Sequence, residues 1–75
     1  MKITEEQKFA VRSAIGMVRH DRSITADILC SDGRIFARVR PEAPDVIDWY
    51  VTGIYSEIDD EPFAKGVVGF EDLLA

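Results

Sequence analysis

The chain is short of nearly everything that covalent chemistry uses. Its 75 residues include one cysteine and one histidine. A lone cysteine cannot close an internal disulfide, so nothing asks for an oxidising compartment. No apolar run approaches the ~20 residues that span a bilayer. The first segment mixes charged with apolar residues, unlike the apolar centre of a signal peptide. A cytoplasmic chain without membrane contact is therefore expected. Phosphate loops, dinucleotide fingerprints, His-Glu-x-x-His helices and spaced Cys/His sets are missing too. No catalytic residue, no cofactor and no metal site is expected. His20 reads as a solvated imidazole near a helix end, and Cys30 as a small buried hydrophobe.

What is present fits one small domain over residues 1–75. The chain is 47% hydrophobic and 31% charged, too apolar for a disordered segment. A domain of this size buries only about 60% of its unfolded surface, so its stability margin is thin.

Basic residues run out halfway along. Residues 1–40 hold eight Lys and Arg against five Asp and Glu, whereas residues 41–75 hold Lys65 against nine carboxylates. The net charge is −5. An acidic surface repels phosphates and attracts basic protein surfaces. The plain alternative is that it keeps a small protein in solution.

Local patterns suggest two helices and three strands. Thr4 and Gln7 have capping-box spacing, and Glu5 and Glu6 suit a helix start. Ala10, Val11, Ala14, Ile15, Met17 and Val18 gather on one arc, so an amphipathic helix is expected over residues 5–19, with Phe9 off that arc. Residues 23–30 and 34–40 alternate in character around Asp32-Gly33, which reads as a type I′ hairpin turn. That turn pairs Cys30 with Ile35, Leu29 with Phe36 and Asp27 with Arg38. Pro41 and Pro44 punctuate a linker. Ile47, Val51, Ile54 and Ile58 repeat at four, three and four, which predicts a second helix capped by Asp45 and ended by Pro62. Trp49–Tyr55 is rich in β-formers, which leaves a strand as the other reading. A short third strand is expected at Val67–Phe70 and a frayed turn at Glu71–Ala75. The fold class is α+β, with two helices on one face of a small antiparallel sheet.

Binding surfaces are better candidates than catalytic ones. The first gathers Asp45, Asp48, Glu57, Asp59, Asp60 and Glu61 around Trp49, a residue type enriched where binding energy concentrates. Carboxylates at a helix C-terminus oppose the macrodipole, unless Pro62 ends the helix early and they only hydrate. Asp59-Asp60-Glu61 lacks the ligand spacing of a calcium loop. The second surface is basic, with Lys8, Arg12 and Arg19 on the helix and Arg34, Arg38 and Arg40 on the hairpin. The negative net charge argues against direct nucleic-acid binding. Leu29 and Phe36 lie off the core face; as one patch they suggest cover by the C-terminal tail or a homodimer contact.

In size, acidity and lack of a catalytic motif the chain resembles the small phage-encoded anti-CRISPR and other anti-defence proteins. The resemblance is one of type; it rests on no signature motif and carries over no functional residue. It implies a protein partner with a basic surface, such as a nuclease or guide-RNA complex, occupied by an acidic decoy that acts as a DNA mimic. Two other readings stand beside it. One is a structural or regulatory adaptor acting through homodimerisation or the apolar hairpin face. The other is a small enzyme using Cys30 or the acidic cluster.

Overall fold

In the computed structural model, which describes residues 3–71, one helix lies across a four-stranded antiparallel sheet. Helix α1 spans Glu5–His20; the strands are β1 Ala26–Cys30, β2 Gly33–Arg40, β3 Ala43–Thr52 and β4 Ala64–Gly69. They neighbour one another in chain order, β1-β2-β3-β4.

The capping box forms as expected. The Gln7 amide donates to Thr4 Oγ1 at 3.1 Å, and the Thr4 amide donates to Gln7 Oε1 at 2.9 Å. Two orphan donors of the first turn are thereby satisfied. Gln7 is buried because its Nε2 also donates to the Asp32 carbonyl, at 3.2 Å. Thr4 Oγ1 donates to Asp32 Oδ2 at 2.9 Å. The start of α1 is thus tied to the β1–β2 turn. Ala10, Val11, Ala14, Ile15 and Val18 form the buried stripe, while Met17, expected on it, is exposed. At the other end the Asp21 amide donates to the Met17 carbonyl at 3.0 Å.

Antiparallel partners project from the same face of a sheet. The register pairs Ile28 with Ile35, Ile35 with Val51, and Ile47 with both Val39 and Val68. These side chains meet the helix stripe in one core. Asp27, Leu29, Arg34, Phe36, Arg38, Asp48, Tyr50, Lys65 and Val67 fall on the opposite face, which no helix of the described residues covers.

Four expectations are corrected. Among the described residues there is no second helix: the segment expected to hold it is β3 followed by a loop. A spacing of four places two residues on one face of a strand as well as on one face of a helix, so Ile47 and Val51 fit both. The short strand expected at 67–70 begins earlier, at Ala64, and is the fourth of the sheet. The hairpin register also differs. Cys30 pairs with Gly33, Leu29 with Arg34 and Asp27 with Phe36, so the turn is Ser31-Asp32. No described residue has positive φ, and a type I′ turn requires it at both central positions. Gly33 serves another purpose. A Cβ there would stand 2.9 Å from the Thr52 carbonyl oxygen and 3.2 Å from Gln7 Nε2, so glycine lets β2 pass close under the helix start. The turn expected at Glu71–Ala75 lies, beyond Glu71, outside the described residues.

Pro41 and Pro44 do not mark a linker. Pro41 sits in the tight turn between β2 and β3. Val39 pairs with Ile47 but Arg40 pairs with Ala43, so residues 44–46 form a bulge on β3. Pro44 is tolerated there because it owes no ladder bond.

A candidate binding end and an open sheet face

Connectivity sorts the charges. α1 begins, β1 turns into β2, and β3 leaves for β4 at one end of the sheet; call it the turn end. α1 finishes, β2 turns into β3, and β4 finishes at the other. Residues 53–63, the long β3–β4 connection, carry Glu57, Asp59, Asp60 and Glu61, all exposed. Hairpin loops are usually two to about five residues, and longer ones tend to be functional. Glu5 and Glu6 open the helix at this same end, and Asp32 lies in its turn. Glu6 accepts a hydrogen bond from the Ser31 hydroxyl. Seven carboxylates thus share one end of a molecule whose longest extent is 29 Å.

The loop is built from two turns. The Ser56 amide donates to the Gly53 carbonyl at 3.0 Å, and the Asp60 amide to the Glu57 carbonyl at 3.1 Å. Asp60 Oδ2 accepts from the Glu57 amide at 2.7 Å. The Phe63 amide returns to the Val51 carbonyl at 2.7 Å and anchors the loop's base. Three large apolar side chains stand exposed in it: Ile54, Phe63 and above all Tyr55, which is 95% exposed.

The expected acidic cluster is only partly assembled. Glu57, Asp59, Asp60 and Glu61 stay together on the loop. Asp45 is exposed in the β3 bulge at the opposite end. Asp48 stands on the open face, bound by Arg40 Nη2 at 2.7 Å and Arg40 Nε at 3.1 Å. That pairing pushes the Arg40 pKa up, first through the hydrogen bond and then through the charge of Asp48. Trp49 is separated from the acids: it projects to the helix side, over Gly66. Glu5, Glu6, Asp32 and Tyr55 were missed because the charge was counted along the chain, and an antiparallel fold brings distant segments to one end.

Leu29 and Phe36 do share the open face, but Arg34, not Phe36, stands opposite Leu29. Leu29 is 61% exposed and Phe36 only 5%. Arginine guanidinium groups stand over the aromatic row Phe36–Tyr50. The Arg34 guanidinium lies 5.9 Å from the Phe36 ring centre, and that of Arg38 lies 6.0 Å from Tyr50, within the range of cation–π attraction. Asp27 pairs with Arg34 at 2.9 Å, not with Arg38. A groove of about 430 Å³ opens beside this row, lined by Arg40, Glu42, Asp48, Tyr50, Lys65 and Val67.

His20 and Cys30 lie at opposite ends of the sheet, so they do not form a nucleophile pair. Among the described residues no three His, Cys, Asp or Glu side chains are grouped as metal ligands. Burial pushes the Cys30 thiol pKa up, with the charges of Glu6 and then Asp32 adding to it. A thiol of this kind is a poor nucleophile. Cys30 should resist an aromatic disulfide reagent in the native state at pH ~8 and react at once in denaturant. Because its folded pKa is raised, its stabilising share is complete below the unfolded value and is lost as pH rises through the folded one. The alkaline fall in denaturation midpoint should therefore be smaller in Cys30→Ala. Rapid native labelling would revive the thiol as a reactive group.

Comparison with protein-family models, with curated proteins and with solved structures finds no match to this chain. No helix of the described residues is long and apolar enough to cross a membrane.

Proposed function

We propose that this chain is a non-catalytic binding module whose acidic turn end occupies a basic, nucleic-acid-binding surface on a protein partner and so inhibits it. One observation carries the proposal: the loop at residues 53–63 joins Glu57, Asp59, Asp60 and Glu61 to a fully presented Tyr55, at the same end as Glu5, Glu6 and Asp32. Carboxylates steer the encounter with a cationic groove and set its salt dependence. Exposed aromatic and aliphatic side chains supply the apolar contact that charge alone lacks, and tyrosine is favoured in that role. Tyr55 takes the place that Trp49 was expected to fill. A nuclease or guide-RNA complex, the class of partner bound by small anti-defence proteins, presents such a groove.

The test is capture from host lysate, followed by displacement of labelled nucleic acid from the captured protein. Asp59→Asn, Asp60→Asn and Glu61→Gln together should weaken displacement by roughly tenfold or more, and Tyr55→Ala alone by a similar factor. Asp45→Asn, at the far end, should change it less than about twofold. Binding that ignores salt between ~50 and ~500 mM would exclude charge mimicry.

A further inference from the structure

The open sheet face is oppositely charged to the turn end. Arg34, Arg38, Arg40 and Lys65 stand on it against Asp27, Asp48 and, in the groove, Glu42. Asp27 is taken by Arg34 and Asp48 by Arg40. Asp48 stands opposite Arg38 in the ladder, yet its carboxylate is held by Arg40. Arg38 is therefore left without a carboxylate among the described residues, and its Nε is buried with no hydrogen-bond partner. Lys65, exposed at the groove, has no ion pair among the described residues either.

We infer that this face docks the acidic loop of a second copy of the chain, head to tail. Charge decides the geometry. Two turn ends would repel through seven carboxylates each, and two sheet faces would meet with like net charge. Loop on face is complementary: carboxylates of residues 57–61 meet Arg38 and Lys65, and Tyr55 supplies an apolar group for the groove beside Tyr50 and Val67. The contact uses two different surfaces, so it is heterologous and gives a ring or an open chain of copies. It needs only the two charged surfaces and does not depend on the inhibitory role proposed above.

Sedimentation equilibrium on the pure chain tests it. At ~50 mM salt the average mass should rise between ~10 μM and ~1 mM protein, and should fall back to monomer at ~500 mM salt. The loop variant Asp59→Asn/Asp60→Asn/Glu61→Gln and the face variant Arg38→Gln/Lys65→Gln should each lose association by about tenfold. Mixing the two should restore a 1:1 dimer and nothing larger, because the intact loop of one meets the intact face of the other. Circular dichroism establishes that both variants fold. A monomer at every concentration, association that survives in the loop variant, or a monomer whose face instead binds a polyglutamate peptide or a DNA strand would overturn the inference. A chain that stays monomeric yet displaces nucleic acid from a captured partner would fail here without touching the proposed function.

Discussion

Ile47→Ala is expected to cost about 3 kcal/mol, within the usual range for a buried isoleucine truncated to alanine. Ile47 is fully buried at the middle of the sheet, between Val39 on β2 and Val68 on β4. Its loss opens a cavity that three elements share. A domain of this length has a total stability of about 4–11 kcal/mol, so the loss is a large part of it. With a urea dependence of about 1 kcal/mol per molar, the midpoint should fall by ~3 M. Ile54→Ala is the matched control. Ile54 is 37% exposed and lies past the end of β3, and its truncation should cost about 0.5 kcal/mol or less. The pair separates the two readings of this segment. On a helix, Ile47, Val51 and Ile54 would share a stripe and truncations would cost alike. Equal losses at Ile47 and Ile54 would restore the helical stripe.

That contrast shows where the fold could be read from the residues and where it could not. The first helix was legible because its cap and its stripe are local: Thr4 and Gln7 find each other three residues apart, and period 3.6 needs no knowledge of the partner. The two faces of β1 and β2 were legible for the same reason, since alternation is a local property. Register was not. Asp32-Gly33 carries the signature of a two-residue turn, but Gly33 is needed beneath Gln7 and beside the Thr52 carbonyl, a constraint set by residues far away in the chain. In β3 the open face carries Val46 and Tyr50 as well as Asp48, so alternation between apolar and polar is blurred. The density of Val, Ile, Trp, Tyr and Thr from residue 46 to 52 was the better signal. The charged surfaces were legible as amounts and not as places. Carboxylates from the start of α1, the β1–β2 turn and the β3–β4 loop share an end only because the sheet is a meander, and Asp48 left the acidic group because Arg40, eight residues away, reaches it.

Gly66→Val should destabilise the domain by about 2–3 kcal/mol, the scale of overpacking in a filled core. Glycine inside a strand normally weakens it, so a β-branched replacement would ordinarily help. Trp49 reverses the sign. Gly66 stands directly opposite Trp49 in the β3–β4 ladder, and the indole occupies the space a side chain there would take. A Cβ at residue 66 would fall 2.4 Å from Trp49 Cζ2 and 2.6 Å from Cε2, well inside contact distance. The indole must then swing off the helix-facing surface and give up its packing against the core, because β4 cannot retreat without breaking its ladder to β3. Trp49 fluorescence, the only tryptophan signal, should shift to the red in Gly66→Val. In a Trp49→Ala background the obstruction is gone, and Gly66→Val should become neutral or stabilising by up to ~1 kcal/mol. The double-mutant cycle should therefore return a coupling of about 2 kcal/mol or more. Additive losses would mean that residue 66 is intolerant for a reason other than the indole above it, and that Trp49 is free to leave the core and join the exposed surface where its sequence neighbours first placed it.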